Sequence, residues 1–326
     1  MRILAYEYIT GGGMLDDSSM TALAPEGDAM LRAVVDDLTD IPGAEITVLR
    51  DFRLRADFPA RVRVVETGQF AAVFRQALLE CDAVWPIAPE TDGILLRVTS
   101  EILTSNRTLL GSRPDAIAIA GSKQATAAAL ARAGVAVAAV YSGEPDIPAF
   151  LEEIVAKPDD GAGCQDTLLF RNREQLRSWC GQHARPKTVY QAYVPGEARS
   201  LSLLCCDGDV RMLACNLQHV EIHEGAFRFN GVSVNAARAH PYSALASAIA
   251  RAMPGLWGLC GVDFIETDAG PVAIEVNPRL TSSYAGLHRA LGLNPARLVL
   301  ELPTSLEALR DEELKIRVAE IAAHAR

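Results

Sequence analysis

The stretch Gly261-Val262-Asp263-Phe264-Ile265-Glu266, a turn at Asp268-Ala269-Gly270, and then Val272-Ala273-Ile274-Glu275-Val276-Asn277-Pro278-Arg279 decides how this chain is read. Two apolar runs joined by Asp-Ala-Gly predict a β-hairpin. Side chains alternate along a strand, so Asp263 and Ile265 share one face, and Glu275 and Asn277 share one face. When the two faces coincide, three oxygen donors converge. Carboxylates with an amide carbonyl are hard ligands suited to Mg²⁺, with Mn²⁺ as a substitute, and not to zinc. Polar side chains at same-face positions of an apolar strand cost free energy unless they bind something. Arg279, just past these donors, is placed to hold a transferred phosphoryl group or an acyl-phosphate oxygen through paired N–H donors.

Upstream, strand-like and helix-like runs alternate. Strands are expected at 2–8, 44–49, 61–65 and 83–87, and helices at 27–38, 69–81 and 94–106, with a glycine turn at Gly11-Gly12-Gly13. Such alternation predicts a small parallel sheet covered by helices, ending near residues 114–120. From Lys123 the pattern changes: a helix of small residues at 124–133, strands at 135–141 and 154–157, and a loop over 158–164. Strands then follow at 188–193, 199–206 and 210–220, a helix at 242–253, and the hairpin itself. No internal repeat or low-complexity linker interrupts the 326 residues, a length suited to two or three domains.

Hydrophobic residues make up 49 % and charged residues 22 %, the balance of a folded soluble protein. A net charge of −10 disfavours nucleic-acid binding as the main activity. The most apolar region, 116–141, is broken by Lys123 and Arg132, so no membrane span is expected, and the chain starts in a strand-like run without a basic leader. Seven cysteines without a Cys-x-x-Cys pair fit a reducing cytoplasm. Only residues 310–326 are strongly charged.

Three upstream segments precede the acidic tract in a telling order. Ala120-Gly121-Ser122 leads to Lys123; Val155-Ala156-Lys157-Pro158 leads to Asp160-Gly161-Ala162-Gly163; then comes Gln191-Ala192-Tyr193-Val194-Pro195-Gly196-Glu197. Lysine ammonium groups offset triphosphate charge, and glycines let backbone N–H groups approach phosphate oxygens. Together these motifs resemble ATP-grasp ligases over residues 119–290. The resemblance implies an α/β (α+β) ATP-grasp fold behind an N-terminal Rossmann-like pre-ATP-grasp domain, divided 1–118, 119–192 and 193–326. It also implies that Lys123 and Lys157 contact phosphates beneath a loop containing Gly161 and Gly163. Gln191, Ala192, Tyr193 and Val194 then read adenine, and Glu197 the ribose, although an acidic residue is commoner where Gln191 stands. Asp263, Glu275 and Asn277 hold the metal of Mg-ATP, and Arg279 and Lys157 act on the transferred group.

Tyr6-Glu7-Tyr8-Ile9-Thr10-Gly11-Gly12-Gly13, Ile87-Ala88-Pro89-Glu90-Thr91-Asp92-Gly93 and Asn277-Pro278-Arg279-Leu280-Thr281-Ser282-Ser283 resemble a narrower group, the tyramine–glutamate ligases of methanofuran-type cofactor synthesis. That resemblance implies small-molecule partners, the carboxylate glutamate and the amine tyramine, joined as an amide in the cytoplasm; a homodimer is an allowed assembly. It also puts Gly11–Gly13 at the amine or amino-acid pocket. Read instead as a dinucleotide fold, the same glycines lack the Gly-x-Gly-x-x-Gly spacing. His219 and His223 imitate a metal pair, but that spacing serves a metal only on a helix and the segment reads as a strand. A contact from Asn216, His219 or Glu221 to substrate, and pocket or core roles for Tyr284 and His288, stay open. A non-catalytic nucleotide-binding protein is the rival from another class; its mark is loss of a ligand or lysine, and none is missing.

Overall fold

A computed structural model describes every residue except 162, 183–186, 238–239, 303–316 and 324–326. Most of the charged stretch at 310–326, and Ala162 of the glycine loop, therefore lie outside the described residues. The N-terminal part runs β1 (Arg2–Glu7), α1 (Met20–Thr39), β2 (Glu45–Asp51), β3 (Arg61–Val65), α2 (Phe70–Glu80), β4 (Ala83–Ile87), α3 (Ile94–Thr104) and β5 (Thr108–Leu109). Its strands form a parallel sheet in the order β3-β2-β1-β4-β5. The two central strands, Arg-Ile-Leu-Ala-Tyr-Glu and Ala-Val-Trp-Pro-Ile, are buried on both faces, which is why they read as continuous apolar runs.

The remainder runs α4 (Pro114–Ala120), α5 (Lys123–Arg132), β6 (Val140–Tyr141), β7 (Ile154–Pro158), β8 (Leu168–Phe170), α6 (Arg173–Gln182), β9 (Thr188–Ala192), β10 (Glu197–Cys206), β11 (Asp209–His223), β12 (Ala226–Ala237), α7 (Ser243–Ala252), β13 (Gly258–Thr267), β14 (Gly270–Asn277), α8 (Tyr284–Leu291), α9 (Pro295–Glu301) and β15 (Ala319–Ala322). A second sheet is ordered β14-β13-β10-β11-β12-β8-β7-β9-β6, with β15 beside β12. It consists of two antiparallel lobes joined edge to edge at the pair Ala226 and Leu168, where Leu169 N–H donates to the Gly225 carbonyl at 2.7 Å and Phe227 N–H to the Thr167 carbonyl at 3.0 Å. The chain crosses between the lobes at Tyr193–Gly196, so the cleft between them has a covalent hinge at one side and a β-bridge at the other.

Two expectations needed correction, and two unassigned stretches gained elements. The first helix starts at Met20 rather than 27, running through Pro25, because Met20 and Ala24 extend the buried stripe that continues at Gly27, Leu31 and Leu38. The strand expected at 135–141 pairs only at Val140–Tyr141. Ahead of it the backbone crosses to β14, where Ala273 bonds Ala136 and Ala138. β8 and α6 fall between the expected loop at 158–164 and the expected strand at 188–193, where no element was expected, and β12 completes a hairpin whose turn places Glu224 and Gly225 at φ 51° and 82°. The expected glycine turn closes a single wide turn over Ile9–Gly13, in which Gly12 leaves helical geometry at φ 93°.

The main core is shared along the chain. Leu31, Val34, Val35 and Leu38 of α1 pack in one cluster with Trp85 and with Tyr284, Leu287, Leu298 and Val299 from α8 and α9. Asp37 fastens this contact: its carboxylate accepts from Tyr284 Oη at 2.7 Å and His288 Nδ1 at 2.5 Å, and its backbone carbonyl accepts from Asn294 at 2.7 Å. Among the described residues no helix is long and apolar enough to cross a membrane.

Candidate active site

In the β13–β14 hairpin Asp263 stands directly opposite Glu275, and Gly261 opposite Asn277. The faces therefore coincide. Asn277 donates from Nδ2 to Asp263 Oδ2 at 3.1 Å, which leaves its amide oxygen as a donor for a cation. Gln218 of β11 donates to the other Asp263 oxygen at 2.8 Å. Gly261 is required beside them, since a Cβ there would meet Thr281 Cγ2 at 2.6 Å. Burial, and next the charge of Glu275, push Asp263 up to about 7. A divalent cation between the carboxylates reverses that pressure. Among the described residues no three His, Cys, Asp or Glu side chains gather as a metal cage. Two carboxylates and an amide oxygen thus fit an ion that keeps places for phosphate and water, which is the habit of Mg²⁺.

Two lysines face this pair. Ser122 caps α5 by accepting from Ala125 N–H, which sets Lys123 as the first helical residue. The Lys123 ammonium lies 2.5 Å from the Gly161 carbonyl, 3.4 Å from the Asp159 carbonyl and 3.4 Å from Glu275 Oε1. Lys157 comes from the buried strand β7, and burial, followed by the charge of Lys123, lowers its ammonium to about 8. Lys123 and Lys157 are 5 % and 6 % exposed. Two ammonium groups this buried call for an anion beyond the local carboxylates.

One cavity of about 470 Å³ joins these groups, a size typical of small-molecule sites. Lys123, Lys157, Gly161, Gly163, Gln191, Ala192, Tyr193, Val194, Glu197, Asp263, Glu275, Asn277 and Arg279 all line it, so the structure brings together every residue expected at the nucleotide and metal site. Cys164, at φ 62°, lines it too. Val155, Val194, Ile265 and Ile274 make an apolar end next to the hinge backbone. Arg279, also in the lining, bonds Glu90 Oε2 at 2.9 Å, a pair nearly excluded from water.

Other residues fall elsewhere. Gly11 and Gly12 pack on Tyr6 and Val65 and do not line the cavity, which corrects the expectation that this turn forms the amine pocket. Tyr284 and His288 belong to the Asp37 contact. His219 shares a hydrogen bond with Ser233 at 2.7 Å, and four residues along β11 put His223 roughly 13 Å away, too far for one ion. Asn216 is fully buried and donates to Ser200 and Ser202 beneath the site. Glu26 and Ser200 line the cavity without having been singled out, as does Gln218. For Gln218 the signal was present: a polar residue two places after Asn216, and so on the same strand face.

Comparison with known proteins agrees with this geometry. The model of the ATP-grasp domain matches residues 120–283, about half the chain, and that of the pre-ATP-grasp 3 domain matches residues 44–117. Tyramine–L-glutamate ligase of Methanocaldococcus jannaschii is 25 % identical over 97 % of this chain and 92 % of its own. A putative ATP-grasp superfamily protein from Archaeoglobus fulgidus superposes with a TM-score of 0.75 at 23 % identity, covering 99 % of this chain and 92 % of that one. L-amino acid ligase from Bacillus licheniformis superposes with a TM-score of 0.70 at 16 % identity, covering 98 % and 78 %.

Proposed function

This chain belongs to the ATP-grasp family, and from that premise we propose that it is an ATP- and Mg²⁺-dependent ligase joining a carboxylate to an amine, with glutamate and tyramine as the substrates. The observation that carries the reading is the pair of buried lysines, Lys123 and Lys157, sharing one cavity with the half-buried carboxylates Asp263 and Glu275 and with Arg279. In this reading the division 1–118, 119–192 and 193–326 separates the N-terminal domain from the two lobes. The apolar end at Val155, Val194, Ile265 and Ile274 takes adenine, with Gln191–Val194 along its edge and Glu197 on the ribose. Lys123, Lys157 and the backbone around Gly161 and Gly163 hold the phosphates. Asp263, Glu275 and Asn277 hold Mg²⁺, which when bound offsets charge on the phosphate oxygens.

A carboxylate oxygen of the acceptor attacks the γ-phosphorus, the bond to ADP breaks, and an acyl phosphate results. The amine nitrogen then attacks the acyl carbon, phosphate leaves, and the nitrogen loses a proton. Arg279 stands in the cavity where charge develops in both steps, and Lys157 offsets charge on the transferred group. The likeness to tyramine–L-glutamate ligase over nearly the whole chain supports the choice of substrates. The test is ADP release with Mg-ATP across a matrix of amino acids and amines, with product mass read in parallel. Glutamate with tyramine is expected to give ADP and one amide. No ADP above background from that pair removes these substrates; no ADP from any pair removes the ligase reading.

A further inference from the structure

Glu90, Thr91 and Asp92 are three consecutive residues immediately before α3, and they touch both halves of the cleft. Glu90, 6 % exposed, bonds Arg279 beyond β14. Thr91 Oγ1 donates to the Asp160 carbonyl at 3.0 Å, and Asp92 N–H donates to Asp160 Oδ2 at 3.0 Å. Asp160 and Gly161 form the stem by which the glycine loop leaves β7, and Lys123 grips the same stem from the other side through the Gly161 carbonyl. Asp92 and Gly93 both adopt left-handed backbone, φ 52° and 66°, a conformation that Asp92 holds against its preference. Gly93 N–H to Glu90 carbonyl and Leu95 N–H to Pro89 carbonyl lock the stretch onto α3. Lys187 also bridges Asp92 and Asp160, but these groups are largely exposed on the Lys187 and Asp92 side, so that ion pair adds little. The weight rests on the buried Glu90–Arg279 pair and the two hydrogen bonds to Asp160.

We propose that Glu90, Thr91 and Asp92 act as a positioning element, in which Glu90 aims the Arg279 guanidinium while Thr91 and the Asp92 N–H set the Asp160 stem. One rigid stretch then fixes the distance between the group that meets the transferred phosphoryl and the loop stem that flanks the phosphates. The roles of Arg279 and the loop rest on the ligase reading; the tether itself does not.

The experiment uses the full chain with Glu90→Gln and Thr91→Val, both close to the parent in shape. Hydrogen exchange of peptides covering residues 158–161 is followed without nucleotide, and ADP release with glutamate and tyramine is measured alongside. Thr91→Val is expected to speed exchange at 158–161 by about tenfold, with distant peptides unchanged. Both variants are expected to lower kcat by about tenfold or more while KM for ATP stays within about threefold, and the double variant is expected to be little worse than either. A general loss of structure would move KM, distant peptides and kcat together. Unchanged exchange at 158–161 in Thr91→Val overturns the tether, and a Glu90→Gln enzyme with parental kcat overturns the aiming of Arg279. If Glu90→Gln does not fold, Thr91→Val decides. If the parent releases no ADP with any pair, the ligase reading fails, and the exchange result still decides the tether.

Discussion

Replacing Glu275 with Gln separates a metal site from a structural ion pair, because the two predict opposite balances of stability and activity. Without metal, two effects compete. The Lys123 ammonium lies 3.4 Å from Glu275 Oε1, a gross attraction of about 5 kcal/mol at an effective dielectric constant of about 20, most of it cancelled by the cost of burying both charges. Against it, Asp263 is lifted from 3.8 to about 7 by burial and then by Glu275, so holding it ionised costs about 4 kcal/mol, part of which Gln relieves. The terms are similar in size and opposite in sign, and the metal-free variant should lie within about 2 kcal/mol of the parent. With Mg-AMPPNP at about 100 times Kd, the parent should gain about 2.7 kcal/mol, or about 4 °C in a chain of this size. The variant should lose most of that gain and at least about 100-fold in kcat. Thermal melts with Mg²⁺ or EDTA, each with and without nucleotide, read the first effect, and ADP release reads the second. A Gln variant that keeps both the Mg²⁺-dependent shift and parental turnover would falsify the metal assignment.

Further outcomes follow from other contacts. Asp37→Ala strands the buried Tyr284 hydroxyl and should destabilise by about 2–4 kcal/mol in urea melts, whereas Asp37→Asn should recover part of that; an Ala variant as stable as the parent would show the contact to be idle. Gly261→Ala drives a methyl to 2.6 Å from Thr281 Cγ2 and should cost about 1–3 kcal/mol with a drop in turnover, readable by melts and ADP release. Hydrogen bonds from Arg63 and from Arg2 hold the Glu80 and Asp82 carboxyls each at about 2, below their ordinary values of 4.5 and 3.8. Depressed carboxylates stabilise the fold above their ordinary values and lose that contribution as pH falls towards 2. Arg2→Met and Arg63→Met should therefore flatten the acid limb of stability between about pH 4.5 and 2; a limb as steep as the parent's would refute the assignment.

The site was more legible than the fold around it. Alternation along two strands put Asp263 on one face and Glu275 with Asn277 on one face, but not the two opposite each other: counted from the turn Asp263 would face Ile274, and a bulge between Asp263 and Phe264 shifts it to Glu275. Lys123 and Lys157 could be expected in the same cavity through their order ahead of that hairpin, although neither is informative alone. The missed elements lacked a local signal. α6 buries only Leu176, so no apolar stripe marks it, and β8 is three residues long. β12 was readable after the fact: Phe227 and Phe229 alternate with polar residues behind a His-Glu-Gly turn. Glu90 could not have been assigned, because its partner lies 189 residues away and nothing local distinguishes a buried carboxylate from a solvated one.

The contact between Asp37 and Tyr284 spans 247 residues, which bears on how the molecule comes into being. At about 5–20 residues per second, α1 leaves the ribosome roughly 12–50 s before its partners on α8 exist. During that interval the parallel sheet can form, but Leu31, Val34, Val35 and Leu38 lack the Tyr284, Leu287, Leu298 and Val299 side chains of their cluster. Such long-range closure slows folding and leaves an apolar face for other chains to find. A fragment cut before residue 284 should therefore aggregate even though it holds the whole first sheet. Nascent chains stalled in that window are the natural clients of chaperones.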